Sequence, residues 1–296
     1  MDPIRFGTGF PHTIGTDPHL IRRFVQTVEQ AGFDDLLVIE HVAGAHPDRL
    51  QGPIGGLPRA PYSHEDPFHE VFTLLGFIAA LTTRIGLATN VLVLPQRQTV
   101  LAAKQAAEID LLSRGRLTLG VGVGWNEREF EILDADFSNR GKRIEEQVAV
   151  LRQLWSSPLV TFDGQWHRLD RVGINPLPGR AIPIWMGSGH QDVSLRRIAR
   201  LADGWVPLGQ SDQQLAPSLV RLRRYLERAG RDPATFGLRL QIRVDDLRGD
   251  RDALLRRLDA HRAHGATHVT LNVGRPAPPL DRHLDLLIDA RRLLLG

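Results

Sequence analysis

Two kinds of hydrophobic pattern alternate along the chain. One is a short apolar run, rich in branched residues and closed by Gly, Pro or a polar residue, which marks a strand buried on both faces. The other places apolar residues every three or four positions, which marks an amphipathic helix. The strand runs are Ile4–Phe10, Asp35–Glu40, Arg84–Leu94, Leu117–Val123, Ile182–Met186, Gly204–Leu208, Leu238–Val244 and His268–Val273. A helical pattern follows each of them. Asp17-Pro18 opens the first helix with a capping carboxylate and a proline in the first turn, and Leu20, Ile21, Phe24, Val25 and Val28 recur at helical spacing. Asp66-Pro67 predicts the start of the second in the same way, running to about Leu81. The third spans about Thr99–Leu112, and the fourth, Lys142–Trp155, carries Ile144, Val148, Leu151 and Trp155 on one stripe. The remaining helices cover roughly Val193–Ala202, Leu215–Ala229, Asp252–Ala263 and Asp281–Leu294.

Strand followed by helix, eight times over, predicts an α/β chain whose parallel sheet closes as a (β/α)8 TIM barrel, with 1–296 as a single domain. An open doubly wound sheet is the alternative. Against it, the first strand–helix junction, Gly9-Phe10-Pro11, lacks the glycine fingerprint of a dinucleotide site. Two long connections follow strands two and four. Val42–Glu65 is rich in Gly and Pro and has no periodicity, which predicts a mobile lid with His46, Tyr62 and His64 facing substrate. Pro158–Ile182 holds Phe162-Asp163-Gly164-Gln165-Trp166, a β-hairpin with an Asp-Gly turn.

Composition narrows the class without naming the chemistry. The 296 residues are 42% hydrophobic and 24% charged, which fits a globular chain with a large core. No apolar stretch is long enough to span a bilayer, and Met1–Phe10 lacks an apolar signal core, so a cytoplasmic protein with no membrane partner is expected. There are no cysteines, which removes disulfides, thiolate catalysis and cysteine-bound metals. The net charge of +3 comes from arginines interspersed with acids, the pattern of solvated helix faces, and points to no nucleic-acid partner. His261, His264 and His268 lack the spacing of a zinc helix and read as scattered surface histidines, so no metal is expected. No G-x-S-x-G elbow is present, which argues against a serine hydrolase.

Active sites of such barrels sit at the carboxyl ends of the strands. Strand two ends in Glu40-His41, and alternation sends the two side chains to opposite faces. One of them can point over the barrel mouth, and His41 can shuttle a proton near neutral pH; a capping Glu and a structural His are the other reading. Strand three ends in Ala88-Thr89-Asn90-Val91, where small and polar residues interrupt an aliphatic run: either a bulge or a backbone surface for a flat ring. Strand four ends in Gly120-Val121-Gly122-Val123-Gly124-Trp125, whose alternating glycines would let a ligand approach the backbone. Strand five ends in Met186-Gly187-Ser188-Gly189-His190 before a helix, where free N–H groups could bind phosphate, although such loops also serve as plain turns. Two glycine-rich strand ends without metal-ligand spacing suggest a phosphorylated organic cofactor.

Across nearly its whole length the chain resembles the bacterial luciferase-like superfamily, and most closely the branch that uses the deazaflavin coenzyme F420. The resemblance rests on Ala31-Gly32-Phe33-Asp34 leading to Glu40-His41, on Thr82–Gly86 through Asn90–Pro95, on Lys104-Gln105 through Leu112–Arg116 into the glycine repeat, and on Phe137 with Arg140, Arg143 and Glu146. Asp163-Gly164 and Ala202-Asp203-Gly204-Trp205 agree as well. It implies an F420-dependent oxidoreductase, or, with FMN, a flavin-dependent monooxygenase; a non-catalytic cofactor-binding member is a further alternative. By position it implies His41 as the active-site His and Glu40 as its acidic neighbour. Thr89, Asn90 and Val91 would form the bulge that backs the ring, here with a cis Asn90–Val91 peptide. Gly122 and Gly124 would lie beside the ring, and Gly187, Ser188, Gly189 and His190 beside the phosphate. Relatives acting on sugar phosphates carry a Glu where this chain has Trp125, which implies a small organic substrate with an apolar or aromatic part, contacted by Trp125, Tyr62 and His46. A homodimer is expected on the same ground.

Overall fold

The computed structural model describes residues 3–50, 60–209, 211–245, 247, 250–274 and 277–295. Parallel strands β1 (Arg5–Gly9), β2 (Asp35–Val38), β3 (Gly86–Thr89), β4 (Leu92–Val93), β5 (Leu117–Gly122), β8 (Ile184–Ser188), β9 (Gly204–Pro207), β10 (Gly237–Arg243) and β11 (His268–Asn272) form one sheet. The antiparallel hairpin β6 (Val160–Asp163) and β7 (Arg168–Val172) lies outside it. The sheet closes on itself: β1 pairs with both β2 and β11, and β3 pairs with β5. This is the expected closed barrel of eight parallel strand positions, and it excludes the open doubly wound alternative. β3 and β4 are two pieces of one barrel strand, Arg84–Leu94 in the sequence pattern, broken at the expected bulge, where the Asn90–Val91 peptide is cis as expected. α1 (Pro18–Gln30), α2 (Val71–Leu81), α3 (Thr99–Leu112), α4 (Glu127–Ile132), α5 (Arg140–Ser156), α6 (Asp192–Leu201), α7 (Asp212–Arg228), α8 (Arg251–Ala263) and α9 (Leu280–Leu295) surround the sheet.

Local chemistry sets the helix starts. Asp17 caps α1, accepting from the His19 amide at 2.8 Å. Asp66-Pro67 does not open the second helix. The Asp66 carboxylate instead accepts from the Ser63 amide at 2.7 Å and closes a turn, and Glu70 caps α2 through the Thr73 amide and hydroxyl. The hairpin is held by one carboxylate: Glu146 of α5 accepts from the amides of Gln165 and Trp166 and from His167 Nδ1 at 2.7–2.9 Å, which strap the Asp-Gly turn to the helix layer.

The amino end of the barrel is filled. Glycines on four strands clear space for large neighbours: a Cβ at Gly204 or Gly237 would strike the Trp185 indole at 2.4 Å, and one at Gly7 would meet Arg239 Nη1 at 2.8 Å. A Cβ at Gly86 would meet Asp35 Oδ1 at 2.4 Å. Into this space Arg239 donates to Asp35 at 2.8 Å and to Thr270 at 3.3 Å, and its guanidinium lies 5.4 Å from the Trp185 ring. His268, the first residue of β11, points into the same floor, and His261 is buried with Nε2 3.0 Å from the Gln241 carbonyl. Neither is the surface histidine that spacing alone suggested: strand alternation turns one inward, and the other lies on the sheet-facing side of α8.

Burial, reinforced by the Arg239 charge, lowers the His268 pKa to about 3. The unfolded ring titrates near ~6.5, so between these values the unfolded chain binds a proton that the folded chain does not. Stability is therefore complete above about pH 6.5 and falls as the pH drops toward the folded value, by up to ~1.4 kcal/mol per unit. In urea unfolding between about pH 6.5 and 5, His268→Gln should show a slope shallower by nearly one proton. Identical slopes in the two proteins would remove His268 from the acid sensitivity.

Candidate active site

The two side chains at the end of β2 part as alternation requires. Glu40 turns away from the mouth and is buried; it accepts from the Val93 amide at 2.7 Å and from Arg97 Nε at 2.8 Å, while Arg97 also reaches Glu70 at 3.2 Å. Burial pushes its carboxyl above the ordinary range, although Arg97 and the Val93 amide pull the other way. Glu40 thereby ties the end of β2 to the broken strand beside it.

His41 enters a different environment. Its Nδ1 is 3.2 Å from Glu129 Oε2, its ring stacks on Tyr62 at 3.8 Å, and it meets Phe68 and Trp125 edge-on at 4.9 and 6.0 Å. His12 stacks on the far side of this group against Phe68 at 4.8 Å. Glu129 lies in α4 and is only 2% exposed. It accepts from the amides of Val42 at 2.5 Å and Ala43 at 3.3 Å and from the Tyr62 hydroxyl at 3.2 Å. Asn126 donates to that hydroxyl at 2.6 Å and caps α4 through the Arg128 amide. Burial pushes the Glu129 pKa up, but the hydrogen bonds from His41, Val42 and Ala43 outweigh it and hold the group below its usual range. Burial and the neighbouring Glu129 charge push the Tyr62 hydroxyl up, so it stays protonated and donates. An ionised acceptor facing Nδ1 requires that nitrogen to carry the proton.

The bulge at Asn90–Val91 is built from its neighbours' missing side chains. A Cβ at Gly122 would come within 2.6 Å of Val91 Cγ2, and one at Gly187 within 2.6 Å of Val91 Cγ1. Gly124, at φ +78°, leaves room for Val93 and Phe130. The glycines thus admit side chains of this chain, where the sequence suggested direct approach of a ligand. Thr89 is buried and its hydroxyl donates to the Gly120 carbonyl at 2.6 Å. Asn90 donates its amide to Val38 at 2.7 Å, while its buried Oδ1 has no hydrogen-bond partner among the described residues. Gly187–His190 leads into α6; the Ser188 hydroxyl donates to the Gly189 carbonyl, and the His190 carbonyl accepts from Arg221 at 2.9 Å.

Residues 4–283 match the family model of the luciferase-like monooxygenases. The chain belongs to this family. Among relatives of this luciferase-like chain, a protein of Mycobacterium tuberculosis bearing only the name "uncharacterized" is 33% identical over 214 residues, 70% of this chain and 71% of that one. Pyrimidine monooxygenase RutA of Escherichia coli is 30% identical over 181 residues, covering 58% of this chain and 49% of RutA. An F420-dependent secondary alcohol dehydrogenase, solved with an F420-acetone adduct, superposes with a TM-score of 0.77 over 98% of this chain and 99% of its own. At 15% identity, that likeness is one of fold.

The luciferase-like barrel brings His41, Tyr62 and Trp125 into one ring cluster and Asn90, Val91, Gly122 and Gly187 into one ledge. His46 does not join the cluster; it is exposed, with Nδ1 3.2 Å from Asp48 and its ring 5.3 Å from that of His64. The lid's two described ends pack on α4 through Glu129, and Arg49 forks onto Glu131 at 3.1 and 3.2 Å; residues 51–59 of the expected lid lie outside the described residues. Glu129, Asn126 and Phe68 escaped the sequence reading. The available signal was Asn126 followed three residues later by Glu129, the spacing of a capping box, which reads as a helix start and not as a site. No helix among the described residues is long and apolar enough to cross a membrane.

Proposed function

We propose that this luciferase-like protein is an F420-dependent oxidoreductase that transfers a hydride between the deazaflavin and a small organic substrate at the carboxyl mouth of the barrel. The observation that carries the reading is the Asn90-Val91 ledge: a buried, unpartnered Asn90 Oδ1 beside a Val91 side chain seated between Gly122 and Gly187. A buried acceptor without a donor is costly, and the imide N–H of a flavin-type ring is a donor of the right kind, with Val91 offering an apolar surface to its face. The residues present therefore fit such a group. Thr89, Asn90 and Val91 would hold the ring, with Gly122 and Gly124 keeping the ledge in place from behind. Gly187, Ser188, Gly189 and His190, at the start of α6, would offer backbone N–H groups to its phosphate.

The bound deazaflavin would supply the hydride chemistry. The chain supplies the rest. His41 holds or delivers a proton through Nε2, which makes no hydrogen bond among the described residues. Tyr62, Phe68 and Trp125 wall the mouth with apolar surface and suit a substrate with a neutral, flat or apolar part. Glu40 acts at a distance by fixing Arg97 and β4, and His46 sits toward the outside of the lid.

A second reading, an FMN-dependent monooxygenase using the same cleft, draws on the 30% identity with the RutA monooxygenase. Parallel fluorescence titrations of the cofactor-free protein with F420 and FMN separate the two. Saturable binding of F420 with weak or no binding of FMN is the expected outcome. The reverse preference would favour the second reading, and failure of both to bind would sink the ledge as a ring site.

A further inference from the structure

Glu129 joins two stretches that the sequence keeps apart, His41–Ala43 and Tyr62. Its Oε1 receives the amides of Val42 and Ala43, where the long loop leaves β2, and its Oε2 receives the Tyr62 hydroxyl, near the loop's return, together with His41 Nδ1. An ionised carboxylate offers about four lone-pair positions, and here four donors converge on it. The group is almost fully enclosed, so each lost donor leaves a buried charge poorly satisfied. The placement of Val42, Ala43 and Tyr62 and the state of the imidazole are therefore linked through one side chain. α4, which carries Glu129, takes a second tie from the loop where Arg49 forks onto Glu131.

We propose that Glu129 is a positioning residue: it fixes His41 as the Nδ1–H tautomer and leaves Nε2 as the exchangeable nitrogen, and is itself held in register by the amides of Val42 and Ala43 and the Tyr62 hydroxyl. The proposal rests on the reading of His41 as the proton-handling group. An acceptor-only partner at Nδ1 excludes the other neutral tautomer, and the loop amides hold that acceptor in register. Without these three donors the carboxylate would be free to turn away from His41.

The test is nitrogen-15 NMR of the His41 ring in the full chain, wild type and Glu129→Gln, with amide hydrogen exchange at Val42 and Ala43 and steady-state kinetics on the same samples. The glutamine keeps the shape and one acceptor but turns an amide N–H toward either the loop or the ring. The expected results are Nδ1–H in the wild type, a shift toward Nε2–H in the variant, faster exchange at Val42 and Ala43, and a kcat lowered about fivefold. A wild-type ring found as Nε2–H overturns the proposal even if the variant fails to fold. A folded Glu129→Gln that keeps the Nδ1–H tautomer and full turnover overturns it as well, leaving Glu129 an anchor of the loop alone. The NMR and exchange readings need no cofactor, so a failed F420 titration and a failed Glu129 assignment are distinguishable.

Discussion

Replacing Arg239 with alanine is expected to destabilise the fold by about 3–5 kcal/mol, the range for removing one partner of a buried ion pair, while turnover per folded molecule stays at the wild-type value. The guanidinium is 4% exposed and the Asp35 side chain it meets at 2.8 Å is also buried. Burial lowers the Arg239 pKa and raises that of Asp35, yet the mutual attraction, with Arg5 at 3.1 Å from Asp35, leaves the Asp35 carboxyl below its usual range and ionised. Truncation would strand that carboxylate with Arg5, which is half exposed, and with a His268 ring that burial keeps neutral. It would also open a void beside Gly7 and the Trp185 ring. The floor lies at the amino ends of the strands, opposite His41, so the mouth keeps its geometry. Urea unfolding with an unchanged m-value measures the loss. Joint replacement, Asp35→Leu with Arg239→Met, should recover a large part of it, because an apolar pair of similar size leaves no uncompensated charge. A single-variant loss below about 1 kcal/mol would show the pair to be irrelevant to stability.

That floor also marks where sequence reading stops. The strands were legible because parallel strands buried on both faces carry continuous apolar runs, and α3 falls on the predicted Thr99–Leu112 because strong helix formers, chiefly Ala, Leu, Lys, Gln and Glu, fill it up to the stop at Gly115. Asp66-Pro67 misled because the same dipeptide caps a helix or closes a turn, and only the Ser63 amide within reach decides which. Glu40 and His41 could be singled out, since alternation at a strand end is local. Glu129 could not be: it meets His41 across 88 residues of chain, and no local pattern encodes that meeting. The glycines tell the same story from the other side. Their presence on β5 and β8 announced that something must come close to the backbone, but whether a ligand or Val91 fills the space is a property of the closed barrel. Arg239 read as one more arginine among many, because its inward direction depends on strand register and not on composition.

His41→Ala is expected to lower kcat at least tenfold, about 1.4 kcal/mol of barrier, and toward the ~10²–10⁴ that a placed proton-transfer group contributes. The cofactor dissociation constant should change little, because the ledge at Asn90-Val91 and the loop Gly187–His190 do not include the imidazole. The variant will also lose stability, since His41 stacks on Tyr62 and satisfies one position on the buried Glu129; a deprived buried acceptor costs about 1–3 kcal/mol. A drop in melting temperature is thus expected on either account and cannot decide between a chemical and a packing role. His41→Gln does decide. Its amide N–H can still donate to Glu129 and its body can still cover Tyr62, but it cannot exchange a proton near neutral pH. If the imidazole handles protons, the glutamine variant recovers stability and cofactor affinity while kcat stays as low as in the alanine variant. If His41 only packs, the glutamine variant recovers kcat along with stability. Turnover per folded molecule, melting temperature and cofactor affinity on the two variants therefore separate the roles, and full turnover in a well-folded His41→Gln would remove the imidazole from the chemistry.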